Sequence, residues 1–187
     1  PASPQLVSTV SDQVNADGVA GLGNTAWVPT RLPTSNGIRG YGLGNPAAPN
    51  VLSNLTVGAA SERVHASDGR VYVPQFPRGL AIFDNSGQPR GALLGRFDAA
   101  NIYNVTTSGN TSYAVRSLND ESTLRVLNVA NPAAIVQLTT LPLPTAAYQM
   151  AVLGNRLYIG TPSGLRSYDI STPGAPTLLS EYGLGVV

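Results

Sequence analysis

The sequence predicts an all-β fold, a β-propeller with four recognisable four-stranded blades. Three observations lead there: short apolar runs punctuated by tight turns, one order of features repeated four times, and no window with sustained helical periodicity. The stretch from Met150 to Leu179 shows the unit most clearly. Its apolar runs, Met150 to Leu153, Leu157 to Ile159, Leu165 to Ile170 and Thr177 to Leu179, are separated by Gly154-Asn155, Thr161-Pro162-Ser163-Gly164 and a Pro-flanked turn. Four short strands joined in this way form one antiparallel meander. A lone meander cannot bury both faces, so copies must stack against it.

The copies are present. An aromatic residue follows the first turn at Trp27, Tyr72, Tyr113 and Tyr158, at intervals of 45, 41 and 45 residues. The preceding turns are Gly23-Asn24, Asp68-Gly69, Gly109-Asn110 and Gly154-Asn155, all two-residue hairpin signals tolerant of positive φ. Third strands align at Gly37 to Tyr41, Gly79 to Asp84, Thr123 to Asn128 and Gly164 to Asp169, and a Pro-bearing turn follows each. A period in the forties with four strands per unit is that of a propeller blade.

These units resemble the LVIVD-repeat propellers, bacterial and archaeal proteins whose repeats read roughly as a turn, Tyr-Val, Gly-Leu, an apolar residue, Asp, Pro-Ala-Pro and Leu-Val. Gly154 to Ser180 and Asp68 to Leu94 match best, whereas the unit at Gly109 has Ile135 in place of the final Pro. The resemblance implies a secreted or cell-surface propeller and carries no catalytic motif.

The expected blades span about 14–58, 59–98, 99–143 and 144–187. The segment 1–13 reads as an outer strand of a preceding blade, because Pro4 to Ser8 resembles the fourth strands Pro49 to Ser53 and Pro176 to Ser180. Two candidates for one outer strand suggest part of a larger propeller, or a module whose open edges another chain covers. A closed four-bladed ring with a spare strand is the alternative.

Composition narrows the function. With a formal charge of +1 and scattered basic residues, all eleven of them Arg, the chain lacks the clustered cations of a nucleic-acid footprint. Zero Cys excludes disulfides, thiolate metal sites and thiol nucleophiles. No apolar run approaches the roughly 20 residues of a spanning helix, and for an exported protein the signal segment lies outside this sequence. Gly-x-Ser-x-Gly, the P-loop and His-Glu-x-x-His are all absent.

Candidate sites follow from position in the unit. The polar column Arg63, Asn104 and Gln149, with Gly18 in the first unit, lies on the inner strands. So does His65, in the series Ala20, His65, Thr106 and Ala151. The alternating column Val19, Val64, Val105 and Met150 is apolar and belongs between blades, leaving the polar set to approach a central channel. A lone His needs convergent partners to bind metal or act as a base, and none is apparent, so no metal site or cofactor is assigned. Rim-loop contact candidates are Arg31, Arg78, Asp120 and Glu121, in the loops Pro29 to Asn36, Pro74 to Gly79 and Arg116 to Ser122; Gly160 to Gly164 completes the set. Asn54, Asn104 and Asn110 fit the N-glycosylation pattern. Asp84, Asn128 and Asp169 end their third strands as turn acceptors without chemistry.

The reading is therefore a non-catalytic extracellular scaffold, binding protein or glycan partners at its rim loops. The alternatives are a subunit of a surface layer or filament that self-associates, and a small-ligand-binding or hydrolytic propeller with a site in its channel.

Overall fold

The computed structural model describes residues 3–11, 17–31, 36–86, 91–98, 101–118 and 121–183. Among the described residues, sixteen strands form four antiparallel sheets in chain order. The first is β1 (Ala20–Leu22), β2 (Thr25–Arg31), β3 (Asn36–Gly42) and β4 (Asn50–Thr56). The second is β5 (His65–Ser67), β6 (Arg70–Gln75), β7 (Gly79–Asp84) and β8 (Leu93–Phe97). The third is β9 (Ile102–Ser108), β10 (Thr111–Leu118), β11 (Glu121–Asn128) and β12 (Val136–Leu143). The fourth is β13 (Gln149–Leu153), β14 (Arg156–Thr161), β15 (Gly164–Asp169) and β16 (Thr177–Gly183).

Turn chemistry sets the register of each sheet. Gly23, Gly109 and Gly154 have φ of 57°, 51° and 56° and are followed by Asn, the pattern of a type II′ hairpin. In the second sheet both Asp68 and Gly69 have positive φ, at 50° and 71°, as a type I′ turn requires. The result is one cross-strand pair repeated four times: Ala20 with Trp27, His65 with Tyr72, Thr106 with Tyr113, and Ala151 with Tyr158. At the far end of the third strand, Asp84, Asn128 and Asp169 each accept a backbone N–H two residues on, at 2.8, 2.9 and 2.8 Å. Hydrogen bonds from the Ser171 hydroxyl and then its N–H hold the Asp169 carboxyl below its ordinary pKa.

A second repeated feature lies further out. In every sheet the ladder between third and fourth strands shifts just after the residue opposite the aromatic, at Gly40/Tyr41, Ile82/Phe83, Val126/Leu127 and Ser167/Tyr168. The extra residue on the outer strand is Leu52, Leu94, Leu138 and Leu179 in turn. A β-bulge of this kind raises the local twist of the strand that carries it.

The sheets stack face to face. Trp27 and Ile38 of the first pack on Val71, Val73 and Phe83 of the second. Tyr72, Leu80 and Ile82 pack on Val105, Ala114 and Leu127 of the third, and Tyr113, Val115 and Leu124 on Leu157, Ile159 and Tyr168 of the fourth. One rule covers all three junctions: the face of each sheet that carries the second-strand aromatic meets the opposite face of the next sheet. Trp27, the largest of the aromatics, stands opposite Gly40, whose missing side chain leaves room for the indole. Its Nε1 donates to Asn85 Oδ1 of the second sheet at 3.0 Å in buried surroundings.

Inner strands neighbour one another in the order β1, β5, β9, β13, and among the described residues no comparable contact joins β13 back to β1. The stack is an open arc. Residues 3–11 form no ladder; Ser8 Oγ donates to the Pro46 carbonyl at 2.6 Å, beside the outer turn of the first sheet. The outer strand expected at Pro4 to Ser8 is thus not seen as a strand. The loop expected from Pro29 is also shorter, because β2 continues to Arg31; Pro29 lies past the last pair with β1 and needs to match only Ile38 on β3.

Two substitutions test the junctions. A Cβ at Gly95 on β8 would overlap the backbone carbonyl of Pro132 in the 3-10 turn Pro132–Ala134 of the third sheet. Gly95→Ala is expected to cost at least about 3 kcal/mol in urea unfolding, the upper end of overpacking penalties. Asn85→Ala strands the buried Trp27 N–H and is expected to cost about 1–3 kcal/mol in the same measurement.

Candidate functional site

Polar inner-strand residues reach round the arc, each toward the following sheet. The Arg63 guanidinium lies over the Tyr103 ring, 5.1 Å from its centroid. Asn104 Nδ2 donates to the Tyr148 carbonyl at 2.9 Å and to Gln149 Oε1 at 3.2 Å, while its Oδ1 accepts from Val105 N. A Cβ on Gly18 would meet the Glu62 carbonyl at 3.1 Å. Gly18, Arg63 and Asn104 thus each lie against the residue just before their counterpart in the next sheet. The expected division, apolar between blades and polar toward the channel, therefore differs from what is found. Each sheet has two neighbours, and the two alternating sets face one neighbour each.

His65 follows the same direction. Its Nε2 lies 2.9 Å from Thr107 Oγ1 on β9, and its ring is 5.9 Å from that of Tyr72. Burial lowers its pKa below the ordinary value, with partial opposition from the Asp68 carboxylate. Among the described residues no three His, Asp or Glu side chains converge. His65, Arg63 and Asn104 thus hold sheets together, and of the four channel candidates Gln149 alone is well exposed.

The described turns between second and third strands, after β6 and after β14, lie at the ends of their sheets where the outer strands also end. Between the second and third sheets, beside the turn after β6, lies a cavity of about 290 Å³. Ala60, Ser61 and Glu62 line it from the leading segment, Pro74 and Phe76 from β6 and its turn, and Ile102 and Tyr103 from β9. Phe76 is 54% exposed at the mouth. The Tyr103 ring forms a wall and carries Arg63 on its face, and the Arg63 Nε is buried without a hydrogen-bond partner. The cleft therefore offers two aromatic surfaces, a cation behind one of them, and a carboxylate and hydroxyl at its edge.

Arg78 is exposed on the same turn as Phe76, its guanidinium next to Gly58. Arg31 and Glu121 are placed by their backbones at the ends of β2 and β11, with side chains outside the described set, and Asp120 lies outside the described residues. Asn54 on β4 and Asn110 in its hairpin turn are exposed, whereas Asn104 is buried. The cleft residues Phe76 and Tyr103 were not singled out from sequence. An apolar aromatic on a rim turn, Phe76 after Gln75, was the available signal.

No protein-family model and no curated protein matches this sequence. Solved structures do. The computationally designed Ika4 protein aligns with a TM-score of 0.67 at 13% identity, over 90% of this chain and 99% of that one. The designed Ika8 protein aligns at 0.66 and 15%, over 97% of this chain and 53% of that one. BamB from Moraxella catarrhalis gives 0.62 and 15%, over 88% and 49%. The WD40 domain of Toxoplasma gondii coronin gives 0.63 and 12%, over 87% and 44%. The fold is that of a β-propeller. This propeller spans nearly all of one designed protein and about half the length of the other three. At such identities the likeness concerns architecture alone.

The depressed His65 pKa makes stability depend on pH. The unfolded chain, with His near 6.5, binds a proton that the folded chain resists, so stability rises with pH between the folded value and 6.5. The melting temperature is expected to fall as pH drops below 6.5 and to level off beneath the folded value. In His65→Gln that step disappears from scanning calorimetry across the same range.

Proposed function

We propose that this propeller is a non-catalytic extracellular scaffold that docks a protein or glycan partner across its rim, anchored in the cleft between the second and third blades. The observation that carries the reading is the pairing of exposed Phe76 with Tyr103 around an open, mainly apolar cavity. Concave sites with aromatic walls and a few polar groups are where ligands gain most of their burial. Aromatic anchors are also enriched where interfaces concentrate their energy. Arg63 behind Tyr103 and Arg78 beside the mouth add charge at the edge, while the near-neutral net charge leaves shape and hydrogen bonding dominant. Membership of the LVIVD-repeat family, with its cell-surface setting, belongs to the same reading and rests on the repeat pattern. Exposed Asn54 and Asn110 are compatible with glycosylation.

The test compares the chain with Phe76→Ala and Tyr103→Ala on a glycan array and against proteins of the source organism's extracellular fraction. Retention of a ligand by the parent chain and at least about a tenfold loss in both variants is expected, the scale of an interface anchor. Binding untouched in both variants, with circular dichroism unchanged, sinks the cleft as anchor. Loss of a hydrolytic turnover in His65→Ala at constant binding would favour the channel enzyme instead.

A further inference from the structure

Three arginines stand around the cleft between the second and third sheets, and among the described residues none of them has an anionic partner. The ion pairs in that set are Arg156 with Asp169 and Arg166 with Glu181. Arg63 lays its guanidinium on the Tyr103 ring, and its Nε is buried with no acceptor. Arg116 stands opposite Ile102 in the β9–β10 ladder and two residues after Ala114, both of which pack toward the second sheet, so its side chain leaves on that same face. Its Nε is buried without an acceptor too. Arg78 is exposed two residues after Phe76, while Glu62, the carboxylate at the edge of the cleft, already has a partner. Buried donors in folded proteins are nearly always paired, and a cationic one is costly to hold unpaired. Two of them flank the wall made by Ile102 and Tyr103, which gives the cleft an unused capacity for an anionic acceptor.

The other chemistry of the cleft narrows what carries the anion. Its surfaces are flat and apolar, the exposed Phe76 ring at the mouth and the Tyr103 ring as a wall, with Pro74 and Ile102 beside them. Its backbone edges are closed: Phe76 N–H donates to the Ala60 carbonyl at 3.0 Å, Gln75 pairs with Gly79, and Ile102 pairs with Arg116. A peptide bound by strand addition needs such an edge open. A sugar ring needs only an aromatic face, whose negative π-cloud receives its C–H hydrogens. We infer that the cleft takes an acidic glycan, a chain whose rings lie on Phe76 and Tyr103 and whose carboxylate or sulfate groups reach Arg63, Arg78 and Arg116. The inference rests on the reading of this cleft as the docking anchor and narrows it to one ligand class. Guanidinium suits either anion, since its fork of donors engages two oxygens at once.

Calorimetric titration of the 187-residue chain with two matched pairs of sugars tests this. The pairs are hexagalacturonate with its methyl ester, and a sulfated κ-carrageenan hexasaccharide with its desulfated form. One charged form is expected to bind at least about tenfold tighter than its neutral counterpart, the scale of a charge-assisted hydrogen bond; the pair that shows the difference identifies the anion. Phe76→Ala and Arg78→Gln alter exposed side chains and are expected to fold, with unchanged circular dichroism. Each is expected to weaken the charged sugar at least about tenfold. Arg63→Gln and Arg116→Gln repeat the effect of Arg78→Gln, and all three leave the neutral sugars unchanged. Charged and neutral sugars bound alike, and lost together in Phe76→Ala, overturn the inference while the cleft remains an anchor. No binding of any of the four sugars overturns it as well. A hexaglutamate peptide bound as tightly as the charged sugars overturns the glycan assignment, and charged-sugar binding that Phe76→Ala leaves intact overturns both the inference and the anchor.

Discussion

Everything in this molecule depends on one constraint: a four-stranded sheet has two faces, and each must be removed from water by a neighbour. The sequence meets it with an asymmetric pair of surfaces. One face carries a large aromatic on the second strand; the other presents Val, Leu, Ile or Ala from that strand, joined by Phe83 and Tyr168 from third strands. Because the two faces differ, sheets stack in one direction only, and the arc has a head and a tail. Hydrogen bonds also join consecutive sheets, between His65 and Thr107, from Asn104 to the Tyr148 carbonyl, and from Arg70 to the Val129 carbonyl at 2.7 Å. These polar ties share the burial of their surroundings, so each is an added cost if broken.

Much of this was legible in the sequence because hairpin turns fix register locally. A two-residue turn leaves no freedom in pairing, so the residue seven before each aromatic had to face it, and His65 does face Tyr72. The Asx turns at Asp84, Asn128 and Asp169 were readable for the same reason, since donor and acceptor are two residues apart. Features set between sheets were not. Whether Arg63 points into a channel or onto Tyr103 depends on the angle between blades, which no local pattern encodes. The Phe76–Tyr103 cleft joins residues 27 positions apart through that same angle. The bulge leucines did leave a trace, a Leu on every outer strand, but a single extra residue in a ladder looks the same as ordinary variation in spacing.

The candidate site sits where this architecture is least constrained. Within a blade, turns and ladders hold the backbone; at the rim, Pro74, Phe76 and the segment around Ser61 are positioned by the rigid strands beneath but free in composition. Ser61 Oγ donates to the Arg63 carbonyl at 2.7 Å, and Gln75 Nε2 to the Val57 carbonyl at 2.7 Å, so the segment leading into β5 is tied to itself and to β6. Such a pocket is preorganised, and little ordering entropy is lost when it is filled.

The recurrent leucine bulge has a consequence for how the protein behaves in solution. Each outer strand, β4, β8, β12 and β16, exposes one row of unpaired peptide groups, the usual template on which chains add strands and aggregate. A bulge at Leu52, Leu94, Leu138 and Leu179 interrupts that row and twists it out of plane. An incoming strand would find a flat run of only about three or four residues before its hydrogen bonds fell out of step, too short for stable pairing. A perimeter rich in β-formers and poor in charge is thereby kept from growing sideways.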